Sequence, residues 1–188
     1  VTGVQTCALP ISALGGGLKT TTSDSSPNNV TWGKSLVWDS TNEVLYVGGY
    51  FDSVSNTLAG SAVPNTSSVA CWNPATSTWS AVGAGSSTTT NRVSAMTLDP
   101  TGRLVVGGVF SSMGGVAADY IARFTPTGAC TGSWASVGSP PFNDRCSANF
   151  ASWADIPSVT TDPDSGNIFA SCERDGGLHP NEIGRAHV

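Results

Sequence analysis

Few residues in this sequence combine the types and spacing that chemistry requires, and the best case is the stretch 162–167. It reads Asp-Pro-Asp-Ser-Gly-Asn, so Asp162, Asp164 and Asn167 could offer side-chain oxygens to a Ca²⁺ ion. The stretch lacks the bidentate Glu that closes a calcium loop at the usual distance. Asp followed by Pro and Gly is also typical of a tight turn, as at 99–102. We therefore favour turns at both places, with a weak calcium site as the alternative.

Motifs of hydrolases and of phosphate-binding loops are missing from the sequence. No Gly-x-Ser-x-Gly elbow is present. The glycine pairs are not followed by Lys and Ser or Thr, and no helix is predicted after them. We expect Asp99 and Asp162 to bond to backbone N–H groups in turns. The sequence therefore predicts no catalytic residue in this chain.

The two ends of the chain can be encoded by one DNA string read on opposite strands. Residues 182–188, EIGRAHV, can be written GAG ATC GGA AGA GCA CAC GTC. Its reverse complement, shifted by one base, spells TCALPI and opens a Ser codon, which matches Thr6 to Ser12. The string resembles a sequencing-library adapter. We therefore expect residues 1–12 and 182–188 to be adapter-derived, and residues 13–181 to be an internal fragment of a longer protein.

Without Cys7, four cysteines remain, and an even number is typical of disulfides in an oxidising compartment. They are Cys71, Cys130, Cys146 and Cys172. Cys130 and Cys146 are close in sequence and flank a Pro-rich loop, so we predict that they pair. Buried or free thiols are the alternative. A zinc site is disfavoured, because the sequence has no Cys-x-x-Cys pair and His179 is the only histidine outside the adapter segments.

The composition excludes several classes of partner. The formal net charge is -5, charged residues make up 11 %, and Lys19 and Lys34 are the only lysines, so a nucleic-acid-binding stripe is not expected. No apolar run is long enough for a transmembrane helix. With 22 Gly and 11 Pro and little Glu, Lys or Gln, the chain favours short strands and turns. Its low Lys content and Ser/Thr-rich loops are typical of a secreted or cell-surface protein.

An internal repeat of about 60 residues runs through the chain. LYVGGYF begins at Leu45 and LVVGGVF begins 59 residues later, at Leu104. An Asp precedes each copy, and a third equivalent is Asp162. Downstream, the segment 69–83 parallels 121–138 and each contains a Trp before a Gly. Each unit is predicted to form four short strands.

A four-stranded antiparallel unit repeated at this period is typical of a β-propeller blade. We therefore predict an all-β fold, a propeller fragment of about two to three blades. The blades are expected at about 33–83, 92–138 and, in part, 156–181. A parallel β-helix has shorter repeats, and a β-sandwich would not need such a regular duplication.

Two kinds of residue are predicted to hold the repeats together. The glycine pairs should lie where close packing leaves no room for a Cβ atom; they are Gly48, Gly49, Gly107 and Gly108. Trp79 and Trp134 should fill the gap between adjacent blades, with each indole N–H bonded to a carbonyl. Exposed platforms for sugar stacking are the alternative role for these rings. Trp153 is the best candidate for a surface contact.

The segment LYVGG followed by VACWNPATSTWSAV resembles a Kelch repeat. The second copy, LVVGGVFSSMGGVAADYIARF, is similar to the Kelch-related propellers of the cortical cell-polarity marker family. The residues that carry this resemblance are Gly107, Gly108, Phe110, Gly114, Gly115, Ile121 and Ala122. The third copy departs from the pattern, with Ser171 and Cys172 in place of the glycine pair.

The resemblance implies a non-catalytic scaffold that binds a protein or a carbohydrate through its loops at the cell surface, without a cofactor. The expected contact loops are Ser53 to Ser68 and Ser139 to Ile156. The remaining blades of the same chain are expected as partners.

The alternative that the resemblance raises is a copper radical oxidase, a class of Kelch-type propeller enzyme. Its copper would need imidazole and phenolate ligands. The residues available here are Tyr46, Tyr50, Tyr120 and His179, so further ligands would have to come from missing blades.

Overall fold

The computed structural model describes residues 13–20, 31–86, 91–137, 154–174 and 182–186. Every regular element in these ranges is a β-strand, and the strands form antiparallel sheets of two to four members. The prediction of an all-β fold is therefore confirmed. The described residues include no helix long and apolar enough to cross a membrane.

The first sheet contains four antiparallel strands in the order β2-β3-β6-β7. Its strands are β2 (Trp32–Asp39), β3 (Val44–Tyr50), β6 (Val69–Asn73) and β7 (Thr78–Ser80). A small sheet in the order β1-β4-β5 lies beside it, formed by β1 (Gly17–Lys19), β4 (Ser53–Ser55) and β5 (Ala62–Val63). The small sheet is built mainly from the long connection between β3 and β6.

The second sheet repeats this order as β8-β9-β12-β13. Its strands are β8 (Arg92–Leu98), β9 (Leu104–Val109), β12 (Ile121–Gly128) and β13 (Thr131–Ser136). The connection between β9 and β12 forms only a short hairpin of β10 (Ser112–Met113) and β11 (Val116–Ala117).

The third sheet has three described strands, β14 (Ala154–Thr161), β15 (Ile168–Arg174) and β16 (Glu182–Ala186). β16 lies in the segment that we expect to be adapter-derived, and it pairs with β15 from Ile168↔Ala186 to Cys172↔Glu182. An open strand edge offers unpaired N–H and C=O groups to any extended segment nearby.

The first strand of each sheet carries a β-bulge at the same position. The register shifts between Gly33 and Ser35, between Val93 and Ala95, and between Asp155 and Ser158. In the first two sheets the second glycine of the pair lies against this bulge. A methyl group at Gly49 would lie 1.9 Å from the Trp32 carbonyl oxygen, and one at Gly108 would lie 2.0 Å from the Arg92 carbonyl oxygen. Only glycine fits beside the bulged backbone.

The first glycine of each pair has a different neighbour, which comes from the next sheet. A methyl group at Gly48 would lie 2.6 Å from Val93 Cγ1 and 2.9 Å from Met96 Sδ. A methyl group at Gly107 would lie 2.6 Å from Ile156 Cγ2. Val93 and Ile156 both stand at the bulge of their strands. The first sheet therefore packs on the second as the second packs on the third.

Each sheet has two faces, which we name by these contacts. The trailing face carries the first glycine, and the leading face is the one that packs against the preceding sheet. Met96 and Phe124 on the leading face of the second sheet share a buried cluster with Tyr46 and Val69 on the trailing face of the first. A second cluster joins the second sheet to the third through Val105, Ile121, Ile156, Val159 and Ile168.

The Asp residues before each glycine segment lie in tight turns. Asp39 Oδ1 accepts hydrogen bonds from the backbone N–H groups of Thr41 (2.9 Å) and Asn42 (3.1 Å). Asp99 Oδ1 accepts from the N–H groups of Thr101 (2.9 Å) and Arg103 (3.0 Å). Asp99 Oδ2 also lies 2.6 Å from Arg103 Nε. The carboxylates fix the connection between the first two strands of each sheet.

Replacing the glycines should separate their two roles. Gly108→Ala forces a methyl group onto backbone atoms that cannot move aside, and we expect a loss of about 3 kcal/mol in the free energy of unfolding. Gly107→Ala meets Ile156 Cγ2 of the next sheet at 2.6 Å but no backbone atom closer than 3.6 Å, and should cost less. Gly128→Ala is the control, because a methyl group there meets only the Thr131 hydroxyl, at 3.1 Å. Urea unfolding of the three variants measures this order, and an equal loss at Gly128 would contradict it.

Asp99 should make the stability of the fold depend on acid pH. Burial raises the pKa of Asp99, but the hydrogen bonds from Thr101 and Arg103 outweigh this, so its pKa lies below the ordinary value. A carboxyl group whose pKa is depressed by folding stabilises the protein above its unfolded pKa of about 3.9, and this contribution disappears as pH falls through the folded value. Asp99→Asn should therefore lower the urea midpoint at pH 6 much more than at pH 2.5. The exposed Glu43→Gln is the control, and a pH-independent effect of Asp99→Asn would contradict the expectation.

Candidate functional site

The tryptophans that recur in the repeat lie inside the fold. Trp79 and Trp134 are buried, and each indole N–H donates to a carbonyl that precedes its own sheet. Trp79 Nε1 lies 2.9 Å from the Leu14 oxygen, and Trp134 Nε1 lies 2.8 Å from the Val82 oxygen. These rings are not available to stack on a sugar.

The exposed tryptophans do not form a platform either. Trp32 and Trp38 are each about half exposed and both lie on β2. Trp32 pairs with Tyr50 and Trp38 with Leu45 on β3, so the two rings point to opposite faces of the first sheet. Trp153 lies outside the described residues.

The disulfide in the structure is not the one that we predicted. Cys130 bonds to Cys71, with Cα atoms 5.7 Å apart, and does not bond to Cys146. Cys71 lies on β6 of the first sheet, and Cys130 lies in the turn between β12 and β13 of the second. Proximity in sequence was misleading because stacking of the sheets brings together residues 59 positions apart. Cys172 is also disulfide-bonded, and Cys146 lies outside the described residues.

The predicted calcium ligands lie in the turn between β14 and β15. The Asp162 carboxylate accepts hydrogen bonds from the Asp164 N–H, at 3.0 Å, and from the Ser165 hydroxyl. Asn167 donates its side-chain amide to the same hydroxyl. The backbone closes the turn through Gly166 N–H and Asp162 oxygen, 2.9 Å apart. These contacts are those of an Asx turn, which uses the carboxylate oxygen that a cation would need.

Two of the three tyrosines considered for copper lie in different hydrophobic clusters, and Tyr50 lies on the same strand as Tyr46. Tyr46 is fully buried in the first cluster, whereas Tyr120 packs on the second. Burial raises the pKa of the Tyr46 phenol, and the negative charge of Asp39 adds to this effect, so the phenolate form is disfavoured. His179 lies outside the described residues. Within the described residues, no group of three or more His, Cys, Asp or Glu side chains could hold a metal ion.

The most distinctive surface is the tip of the connection between β3 and β6, which we call the insert tip, residues 56–65. The predicted contact loop Ser53 to Ser68 contains it, but both ends of that loop are buried, the first in β4 and the last, residues 66–68, directly before β6. The second sheet has only the short β10–β11 hairpin at this place. The other predicted loop, Ser139 to Ile156, lies outside the described residues up to Trp153.

Hydrogen bonds hold the insert tip in one conformation. Lys19 Nζ donates to the carbonyl oxygens of Leu58 (3.3 Å) and Gly60 (3.0 Å). Ser55 Oγ donates to the carbonyl oxygens of Thr57 (2.6 Å) and Gly60 (3.1 Å). A loop fixed in this way loses little conformational entropy when it binds a partner.

The insert tip exposes an apolar side chain and contains no charged residue. Leu58, the third residue of the tip, is 85 % exposed. This is the largest exposed fraction among the exposed large apolar side chains of the described residues. The predicted contact loop contains Leu58, but Leu58 itself was not predicted as a contact, and Lys19 was not predicted to hold the loop. An isolated Leu within a Ser/Thr-rich insert was the signal available for Leu58, whereas the contact of Lys19 depends on tertiary structure.

No family model and no curated protein sequence matches the chain. Among solved structures, similarity extends to an extracellular domain from B. thetaiotaomicron assigned to the hybrid two component system BT4673, with 15 % identity and a TM-score of 0.46. A second structure of the extracellular domain, assigned to a one component system BT4673, gives 16 % identity and a TM-score of 0.43. The matches cover 81 % and 90 % of this chain but only 15 % and 16 % of those chains. At these TM-scores the similarity assigns no function.

Removing the disulfide should destabilise the stacked sheets. The double variant Cys71→Ala/Cys130→Ala releases a loop of 59 residues. We expect its free energy of unfolding to fall by about 4 kcal/mol, from the loop-closure entropy that the crosslink removes from the unfolded chain. Urea unfolding measures the loss, and peptide mapping under non-reducing conditions checks the pairing. A Cys130–Cys146 peptide in that map would contradict the structure.

Proposed function

We propose that this chain is part of a Kelch-like β-propeller, a non-catalytic extracellular scaffold that binds a protein partner through the insert tip. The repeated stacking of antiparallel sheets, with one glycine of each pair under the next sheet, supports the propeller. The disulfide between the first two sheets supports an oxidising compartment.

The observation that carries the binding proposal is the exposed Leu58 on a loop held by Lys19 and Ser55. Binding residues are concentrated on loops that a rigid scaffold positions, and a partner that covers an exposed apolar side chain gains the free energy of its burial. The tip itself contains no charged residue, and the Lys19 ammonium beside it is already bonded to two carbonyl oxygens of the tip. A glycan partner is less well supported, because the described tryptophans form no exposed row.

The binding proposal can be tested with a displayed library of random peptides selected on the intact chain. We expect selected peptides to bind at the insert tip and to lose at least tenfold in affinity for Leu58→Ser. Thr76→Ser, an exposed substitution in the β6–β7 turn, is the matched control and should bind as the unchanged chain does. Isothermal titration calorimetry measures the three affinities.

Two results would contradict the proposal. Peptides that bind Leu58→Ser as tightly as the unchanged chain would place the interface elsewhere. Binding of the chain to a glycan array, unaffected by Leu58→Ser, would favour a carbohydrate-binding propeller instead.

A further inference from the structure

One position shows a large difference between the three sheets. Leu36, Met96 and Val159 occupy equivalent positions on the first strands of their sheets. Each pairs with the residue of the second strand that directly precedes the first glycine of the pair or, in the third sheet, Ser171. Met96 is 8 % exposed and Val159 is 9 % exposed, since each leading face is covered by the sheet before it. Leu36 is 67 % exposed, and Trp38 beside it on the same face is 51 % exposed. At the Leu36 position, the leading face of the first sheet thus exposes an apolar side chain where the other two sheets are covered.

Among the described residues, the open part of this face lies over the first strand. Farther out on the same face, Val47, Trp72 and Trp79 are buried under the small sheet, with Phe51 and Val54. The second sheet has the equivalent arrangement, in which its own connection covers the outer strands and the preceding sheet covers Met96. The open area of the first sheet therefore corresponds to the footprint of a neighbouring sheet.

Residues 14–17 supply independent evidence of such a neighbour, because their turn hydrogen bond and backbone angles match those of residues 82–85. Gly17 N–H donates to the Leu14 oxygen (3.1 Å) as Gly85 N–H donates to the Val82 oxygen (2.9 Å). Gly15 and Gly83 have φ of 55° and 59°, and Gly17 and Gly85 have φ of 72° and 69°. The sequences Ala-Leu-Gly-Gly-Gly and Ala-Val-Gly-Ala-Gly match as well.

The same carbonyl positions also accept the repeated tryptophan bonds. The Leu14 oxygen accepts from Trp79 of the first sheet, and the Val82 oxygen accepts from Trp134 of the second. Val82 lies two residues beyond β7, the closing strand of the sheet that precedes Trp134. Leu14 therefore takes the place before the first sheet that Val82 takes between the first and second sheets.

We propose that the leading face of the first sheet, at Leu36 and Trp38, is the docking surface for another four-stranded sheet of the same repeat, which would precede Leu14 in the intact protein. This inference rests on the repeat architecture in the proposed function, but not on binding at Leu58. Leu36 would pack against the first glycine position of that sheet, as Met96 packs against Gly48.

The test supplies such a sheet in the same chain. A copy of residues 91–136, with its Cys130 replaced by Ala, is fused directly before Leu14, so that its last strand leads into Leu14 as β7 leads into Val82. Leu36→Cys and Leu58→Cys are made in this extended chain and in the 188-residue chain. N-ethylmaleimide labelling at each position is followed by peptide mass spectrometry.

We expect labelling at position 36 to slow at least tenfold in the extended chain, while labelling at position 58 changes less than twofold. Position 58 is the matched control, because the insert tip lies outside the expected footprint. Hydrogen exchange in the added sheet reports whether it has folded.

Three results would overturn the inference. In the first, position 36 of the extended chain is still labelled fast although hydrogen exchange shows that the added sheet has folded. The added sheet could remain unprotected, which would show that the face does not support a neighbour. In the 188-residue chain, labelling at position 36 could slow with rising protein concentration, which would assign the face to a second copy. Peptide binding that depends on Leu58 is a separate readout, so failure here is distinguishable from failure of the binding proposal.

Discussion

The whole arrangement depends on the pair of glycines in the second strand of the first two sheets. Gly49 and Gly108 make room for a bulge in the neighbouring strand, and Gly48 and Gly107 make room for a side chain of the next sheet. The two roles are coupled, because Val93 and Ile156, the side chains that fill the space over Gly48 and Gly107, stand at the bulges of their own strands. A sheet without the bulge would not present these side chains in the same place. Packing within a sheet and packing between sheets are therefore specified by the same short motif.

The third sheet shows what happens when this motif changes. Ser171 and Cys172 replace the glycines, yet the bulge between Asp155 and Ser158 remains. Cys172 is buried and disulfide-bonded, so the position that elsewhere faces only backbone now carries a covalent link. On the trailing face of this sheet, the Ser171 side chain with its hydroxyl occupies the position at which the first two sheets have Gly48 and Gly107. A sheet packed there would meet a different surface from the one that Gly48 and Gly107 offer.

Function in such a scaffold depends on the loops that connect the strands, because the faces of the sheets are buried against neighbouring sheets. The first and second sheets share strand order, bulge, Asp turn and tryptophan bond. They differ mainly in the β3–β6 connection, where the insert tip places Leu58 in solvent. The insert tip has little sequence signature beyond its length, yet Lys19 from β1 holds it by two carbonyl oxygens.

The sequence alone determined the all-β class, the repeat and the sites of the turns, because these depend on local properties: short apolar strands, turns that contain an Asp, and a glycine pair that recurs after 59 residues. It also indicated that Gly48 and Gly107 lie at close contacts. Only the tertiary structure decided which atoms make those contacts, that Cys130 pairs with Cys71, and that Trp32 and Trp38 face opposite ways. The disulfide was mispredicted because sequence distance does not measure spatial distance once sheets stack. The orientation of β2 depended on a bulge, which reverses the faces of the residues on one side of it and leaves little trace in the sequence.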